Sequence, residues 1–283
     1  MHELLEFAVR GVFLGIIYGL VALPISLLFL TTDSVDLSVG AYAVLAGAVT
    51  IMVGGPLGMA LGVATAILAS GIVATLSLRL NRPGQQDPVT VVLATFGAAT
   101  FLESFILTWY GKDPMVRQPF QGFWDIAGVR ISPQSAVNLA VGLVILAALS
   151  AALYRTPFGR AMRACAINPI GATLAGIPAR GIWFATYVIG GAMAGIAGVL
   201  ILNTTGMDYS SGLSLTIAAF GASILFGLKN PARAFSGGLA MGVVQALSAG
   251  YLPGAWATAM PLAFTFIVLS SGRMTRIAAG GRA

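Results

Sequence analysis

Long apolar runs separated by short polar segments dominate the pattern of the chain. Nine such runs lie between Gly11 and Ser270, and most of them approach the ~20 residues that a helix needs to cross a bilayer. A run of that kind is helical in a membrane, because a helix satisfies its own backbone hydrogen bonds. The pattern predicts an all-α polytopic membrane protein with one transmembrane domain over residues 1–283. We expect about eight to ten transmembrane helices.

Two polar segments are too long to be tight turns. Residues 154–181 contain four arginines and no acid, whereas residues 110–134 mix both signs of charge with tryptophan and proline. Lys and Arg collect on the cytoplasmic side of membrane proteins. The sequence therefore predicts a cytoplasmic loop at 154–181 and an external loop at 110–134. Alternation of the runs then places eleven of the fifteen basic residues inside and the N-terminus outside.

Composition supports a membrane protein and argues against an enzyme. Hydrophobic residues make up 58% of the chain and charged residues 8%, against about 25% charged in soluble domains. The net charge of +6 comes from short loops, which is not a nucleic-acid signature. Cys165 is the only cysteine and His2 the only histidine, and neither a phosphate-binding GxxxxGK[ST] loop nor a GxSxG motif occurs. We expect no catalytic, metal or cofactor site in this chain, and energy supplied by another protein.

The polar segment 154–181 has an internal pattern of its own. Residues Arg160–Ile167 and Pro169–Ala175 can each form a short helix. Asn168 can cap the second helix, and Pro169 suits its first position. This predicts a helix-turn-helix pair that another protein could hold. The alternative is an inert basic loop that only sets the orientation of the chain.

A weak internal similarity links two parts of the sequence. Leu37–Gly71 and Leu215–Gly250 each contain an apolar run of small residues, a turn with proline and a Gly-rich run, and the alternation of spans gives them opposite directions. Inverted repeats are common in transporters, and the solute path lies near their junction. The alternative is that Gly- and Ala-rich spans resemble one another by composition alone.

Few polar side chains fall within the apolar runs. Asp36 could lie at the start of a discontinuous helix on a solute path, or it could cap a helix at the interface. Glu103 could face a path or pair with a neighbouring span, and Gln245 could bond across helices or face solute. The predicted path residues are Asp36, Ser38, Gly40, Tyr42, Glu103 and Gln245.

Several stretches together resemble one family, the permease subunits of branched-chain amino-acid ABC transporters. The resemblance rests on RTPFGRAMRA at 155–164, on Asn168-Pro169, on the Ala-x-Leu-x-Gly-Ile pattern at 172–177, and on AMAGIAGVL at 192–200. It implies the fold of an ABC importer permease, and it implies that segment 164–176 couples the chain to an ATPase. The coupling residues expected from the resemblance and the loop are Arg160, Arg163, Ala164, Asn168, Pro169, Gly171, Ala172, Leu174 and Gly176.

The resemblance also implies a larger assembly in the bacterial inner membrane. Its expected partners are a second, homologous permease subunit, two ATPases that use ATP-Mg, and a periplasmic or lipid-anchored solute-binding protein. The chain departs from the family pattern at Asp36–Gly40 and at Lys229–Arg233. These departures leave urea, short amides or another small polar solute as alternatives to branched-chain amino acids. A secondary transporter without an ATPase is the alternative from another class.

Overall fold

The computed structural model describes residues 2–81, 87–120, 122–126, 129–252 and 254–270. All nine apolar runs are helical within these ranges, which confirms the all-α prediction. Arg82 and the C-terminal arginines of the orientation argument lie outside the described residues. The helices are α1 (His2–Thr32), α2 (Val39–Val53), α3 (Gly55–Leu80), α4 (Pro88–Trp109), α5 (Pro133–Arg155), α6 (Pro157–Ile167), α7 (Pro169–Leu174), α8 (Ala179–Leu202), α9 (Ser211–Phe226), α10 (Pro231–Tyr251) and α11 (Gly254–Ser270).

Five helices begin with the same two-residue signal, a capping side chain followed by proline. The cap oxygen accepts a hydrogen bond from a backbone N–H of the first turn, and proline fills the first helical position without loss of a bond. This local chemistry sets the start of both long spans and short loop helices. The five pairs are Asp87-Pro88, Ser132-Pro133, Thr156-Pro157, Asn168-Pro169 and Asn230-Pro231.

The helices differ in how far they can reach across a membrane. Five described helices are long and apolar enough to cross it, namely α1, α3, α4, α5 and α8. Helices α9 and α10 are bent by 113° relative to each other and count as a sixth span only if taken together. The expectation of about eight to ten transmembrane helices counted every apolar run. Helix α2 and the apolar part of α11 are shorter than the five long helices.

The predicted external loop contains a small β-hairpin that the sequence did not indicate. Strand β1 (Trp124–Ile126) pairs with β2 (Val129–Ile131) in antiparallel register. Earlier in the same loop, Met115 forms an isolated antiparallel bridge with Met207, which follows α8. The loop is therefore tied by backbone hydrogen bonds to the connection between α8 and α9.

Glycines let the central helices touch through their backbones. Gly15 of α1 faces Leu239 of α10, where an added Cβ would lie 2.6 Å from the Leu239 Cα. Gly195 of α8 faces α3, where an added Cβ would lie 2.8 Å from the Ala66 Cβ and 3.2 Å from the Val63 Cα. Small residues at such contacts allow close helix packing in membranes.

The packing of the first half of the chain repeats in the second half in the opposite direction. Helix α1 packs on α10 as α8 packs on α3, and α2 contacts α3 and α8 as α9 contacts α10 and α1. Trp183 lies beside Thr31, and Gly190 lies beside Pro24, so α1 and α8 are antiparallel. The structure thus contains the predicted inverted repeat over α2–α3 and α9–α10, and the repeat also includes α1 and α8.

Candidate functional site

The junction of the two repeats is built around a break between α1 and α2. Residues 33–38 are not helical, and Asp33 has a φ of 55°. Asp36 in this break is 2% exposed, and its carboxylate accepts hydrogen bonds from the Ser38 backbone N–H at 2.7 Å and from the Ser38 hydroxyl. The Ser38 hydroxyl also lies 2.7 Å from that of Tyr42. Three of the predicted path residues therefore form one buried polar group.

The backbone of this break is held by threonines from two other helices. The Leu37 N–H donates to the Thr95 hydroxyl of α4 at 3.1 Å, and the Gly40 N–H donates to the Thr216 hydroxyl of α9 at 2.9 Å. Thr216 in turn donates to the Leu37 carbonyl at 3.3 Å. Irregular backbone at membrane depth is tolerated only where protein or a water-filled path satisfies it. The hydroxyl groups of Thr95 and Thr216 therefore stabilise the break as a part of the junction.

Gly40 brings the start of α2 against the start of α9. A Cβ on Gly40 would collide with the carbonyl oxygen of Gly212, and one on Gly212 would lie 3.1 Å from the Ala41 backbone nitrogen. Only glycine permits such an approach at position 40, whereas a Cβ at position 212 would make a tight contact.

Sequence reasoning missed the partner of the Asp36 motif. Residues 208–212 read Asp-Tyr-Ser-Ser-Gly, which repeats the Asp-x-Ser-x-Gly spacing of residues 36–40. Ser38 and Ser210 precede their helices with nearly identical backbone angles, φ −91° and ψ −1° against φ −88° and ψ −2°. The two acids differ, since Asp36 is buried and Asp208 is exposed. A search for this spacing, rather than for overall similarity, would have found the second copy of the motif.

Glu103 lies beside the same junction. Its half-buried side chain lines a narrow cleft between α4 and the starts of α2 and α9, together with Ala41, Tyr209 and Gly212. The ion pairs of the described residues are Arg10–Glu6 and Lys229–Asp33, so neither Glu103 nor Asp36 has a cationic partner among them.

Gln245 is placed apart from the other predicted path residues. Its side-chain oxygen accepts a hydrogen bond from the Tyr18 hydroxyl across the contact of α10 with α1. The structure therefore gives Gln245 a bond across helices and does not bring it to the group formed by Asp36, Ser38 and Tyr42.

The loop 154–181 folds into the expected pair of short helices, α6 and α7. The Thr156 hydroxyl accepts from the Gly159 N–H at 3.1 Å, and the Asn168 side chain accepts from the Gly171 N–H at 2.9 Å. The predicted cap at Asn168 is thus confirmed. Gly176 ends the segment with a φ of 85°, a left-handed conformation that suits glycine.

One face of α6 is fixed to the bundle. Met162 and Cys165 are buried, and α6 contacts α1, α5 and α8. A Cβ on Gly159 would collide with the carbonyl oxygens at the end of α5, so the two helices meet without a gap. Burial also raises the pKa of the Cys165 thiol.

The opposite side of the pair presents apolar side chains to the surroundings. Ile167 is 86% exposed and Leu174 is 85% exposed, and Ile170 between them is also exposed. Sequence reasoning named Leu174 but missed the two isoleucines, although apolar residues within a polar loop are a readable signal.

The other predicted coupling residues divide by exposure. Ala172 is buried, so it anchors α7 and does not belong to the presented surface. Arg160, Asn168 and Gly176 are exposed, whereas Arg163, which stacks on Tyr154 at 5.3 Å, is half-buried. Ala164, Pro169 and Gly171 are half-buried as well.

A family model described as the permease component of branched-chain amino acid transport systems matches residues 7–269. The chain belongs to this family. Among curated relatives of the family, LivH of Salmonella typhimurium, a high-affinity branched-chain amino acid transport system permease protein, is 28% identical over 280 residues. The match covers 92% of this chain and 91% of LivH. BraD of Pseudomonas aeruginosa, of the same description, is 26% identical over 274 residues, covering 88% of this chain and 87% of BraD.

The fold of this family member is also similar to a solved structure. PsaBC from Streptococcus pneumoniae, in complex with Fab, aligns with a TM-score of 0.52 at 11% identity, over 93% of this chain and 90% of that one. The predicted ABC permease fold and the resemblance read from the sequence motifs are confirmed. The family and the apolar spans also confirm a multi-pass protein of the inner membrane.

Proposed function

We propose that this permease component is the non-catalytic translocation subunit of an ATP-driven importer for branched-chain amino acids. A second permease subunit, two ATPases that use ATP-Mg and an external solute-binding protein complete the proposed assembly. The observation that carries the proposal is the α6–α7 pair, which exposes Ile167, Ile170 and Leu174 at the predicted cytoplasmic face. The substrate follows the curated relatives LivH and BraD, whose descriptions specify branched-chain amino acids.

The shape of the α6–α7 pair suits the transmission of force. Burial of an exposed apolar side chain against a partner stabilises the complex, by about 1.5–3 kcal/mol for a fully buried Leu or Ile. The buried face of α6 rests on α1, α5 and α8, so a partner that moves α6 also moves three helices of the bundle. In the proposed mechanism, closure of the ATPase dimer pushes this pair, and the helices rock about the junction of the repeats.

The proposed solute path runs beside the starts of α2 and α9. Discontinuous helices at a repeat junction are where transporters commonly hold solute. Asp36, Ser38, Gly40 and Tyr42 lie there, and Glu103 lines the adjoining cleft. Asp36 and Glu103 have no cationic partner among the described residues, and this favours a solute with an ammonium group, as an amino acid has, over a neutral amide such as urea.

The test replaces the exposed apolar side chains of the pair in the full assembly. Ile167→Ser with Leu174→Ser removes apolar contact without touching the core, so the chain should fold. We expect binding to the ATPase to fall roughly 100-fold, from a loss of about 3 kcal/mol. Leu80→Ser is the matched control, because Leu80 is an exposed apolar residue at the end of α3.

Uptake of labelled leucine and co-purification of the ATPase are measured together in proteoliposomes. Loss of both in the double variant, with both retained in the Leu80→Ser control, supports the proposal. Full ATP-dependent uptake by the double variant contradicts the docking role. Uptake of urea but not leucine by the unaltered assembly would show that the proposed substrate is wrong. Uptake without any ATPase would indicate a secondary transporter.

A further inference from the structure

The cleft that Glu103 lines is too narrow for an amino acid. One of its walls is α4, and the other is formed by residues 209–213 at the start of α9. The cleft holds only about 10 Å³, which is space for a single water molecule. A solute therefore reaches Asp36 along this cleft only when the two walls move apart.

A segment of the predicted external loop ties the two walls together. Residues 111–117, which we call the strap, follow α4 after one residue and pair with residues 203–210, the connector between α8 and α9. Met115 and Met207 exchange two backbone hydrogen bonds of 2.9 Å each. Since the strap continues from one wall and the connector leads into the other, these bonds hold the walls together at their external end.

The paired methionines are also packed into the bundle. Met115 is 0% exposed and Met207 is 5% exposed. The Met207 sulfur lies against Gly47 of α2, where an added Cβ would be 2.8 Å from it. The strap therefore fixes the connector to α2 as well as to α4.

Two buried polar atoms at the same contact have no partner. The Arg117 N–H donates to the Leu202 carbonyl at 3.2 Å, which places Arg117 beside the end of α8. Nη1 of Arg117 and Oδ1 of Asn203 are both buried, and neither makes a hydrogen bond within the described part of the chain. A buried polar atom without a partner destabilises the state that buries it. Release of the strap lets water reach both atoms, and this offsets part of the loss of the backbone bonds.

We propose that the strap is a lid on the external side of the cleft, and that it opens during transport. It hinges at Gly111, whose φ of 107° favours glycine. With the strap closed, α4 and the connector stay together and the cleft is shut. With the strap released, the walls part and the solute passes to Asp36. This lid rests on the transport role proposed above.

A reversible disulfide tests whether the strap must open. Met115→Cys with Met207→Cys, the strap pair, places thiols on an antiparallel bonded pair, whose Cα atoms lie about 5.5 Å apart, within reach of a disulfide. Cys165→Ser removes the native thiol. We expect oxidation to lower leucine uptake by the full assembly roughly tenfold and reduction to restore it. The control is Trp124→Cys with Ile131→Cys across the β-hairpin of the same loop, which should keep uptake when oxidised.

Chemical labelling measures the opening without relying on uptake. Because Met207 is 5% exposed, the thiol of Met207→Cys is shielded from a water-soluble maleimide while the strap is closed. With Cys165→Ser in the same chain, we expect labelling to be roughly fivefold faster with ATP-Mg, binding protein and leucine than without ATP. Thr205→Cys is the control, since Thr205 is exposed on the same connector and should label equally fast in both conditions.

Full leucine uptake by the oxidised strap pair overturns the proposal, as does equal labelling of Met207→Cys with and without ATP. Reversible loss of uptake together with faster labelling supports it. If the reduced strap pair does not transport, the labelling result alone decides. Absence of ATP-dependent uptake by the unaltered assembly would contradict the proposed function instead, and the labelling comparison would still decide whether the strap opens.

Discussion

Gly40 of α2 and Gly212 of α9 meet backbone to backbone at the junction of the two inverted repeats, each at the second position of its helix. The contact leaves no room for a methyl group on Gly40, because the Gly212 carbonyl occupies that space. The two short helices therefore begin at a shared point, beside the buried Asp36.

Gly40→Ala should disturb this junction severely. The added methyl group must displace the backbone of α9, and overpacking of this kind costs about 1–3 kcal/mol or more. We expect a lower melting temperature of the purified assembly and a strong loss of leucine uptake. The control is Gly97→Ala in α4, where a Cβ would meet nothing within 4 Å. Equal melting temperatures and equal leucine uptake in the two variants would show that α2 and α9 can move apart at the junction without harm.

Asp36→Asn should reduce transport without reducing the stability of the protein. The carboxylate is 2% exposed and its hydrogen bonds come from Ser38 and not from a cation, so a neutral amide avoids the cost of burying a charge. We expect the melting temperature to hold or rise while leucine uptake falls at least tenfold.

The comparison for Asp36→Asn is Asp33→Asn, three residues earlier. Asp33 is exposed and pairs with Lys229 at 2.9 Å, a bond worth at most about 1 kcal/mol. This variant should keep leucine uptake. Normal uptake by Asp36→Asn would remove Asp36 from the proposed path.

Asn168→Ala should weaken coupling through the loss of one helix cap. The Asn168 side chain accepts the Gly171 N–H, and an alanine in its place costs about 1 kcal/mol of local helix stability. We expect reduced ATPase co-purification and slower uptake, with unchanged membrane insertion. Asn168→Ser keeps a capping oxygen and should restore both readouts. Failure of the serine variant to recover would point to a direct contact of Asn168 with the partner.

Cys165, the only cysteine of the chain, should report the packing of α6. Burial raises the pKa of its thiol, so the reactive thiolate is scarce at neutral pH. We expect slow maleimide labelling of the folded protein at pH 7, faster labelling at pH 9, and rapid labelling at either pH after unfolding.

The raised pKa of Cys165 also makes the stability of the folded protein depend on pH. The unfolded thiol ionises near pH 8.5, below the raised pKa of the folded state. The contribution of Cys165 to stability is therefore complete below about pH 8.5 and is lost as pH rises through the folded pKa. Fast labelling of the native protein at pH 7 would mean that α6 moves away from α1, α5 and α8.

The sequence predicted helices well, because apolar length and capping chemistry are local properties. The cap at Asn168 and the pair of helices around it follow from a dozen residues and were confirmed. The short length of α2 was less readable, because it depends on the break at Asp33–Ser38, which Thr95 and Thr216 hold from distant positions.

The junction of the repeats was only partly readable. Asp36 and Glu103 drew attention as acids in apolar runs, and the structure places both at the junction. The matching acid Asp208 was missed, because it lies in a polar connection where an acid is unremarkable. Ile167 and Ile170 were missed although apolar residues in a polar loop are a readable signal, and the extent of their exposure is decided by packing.

The glycine contacts between helices also have a mechanical consequence. A helix that touches its neighbour through glycine cannot slide by one residue, because a side chain would then enter the backbone of the other helix. Helices α1 and α10 therefore act as one rod, joined at Gly15, and α3 and α8 act as a second, joined at Gly195. Each rod takes one helix from each half of the chain, so bending within a rod is resisted along its length. At the starts of α2 and α9 the contact of Gly40 with Gly212 also forbids sliding, so relative motion of the two rods is limited to rotation about that contact.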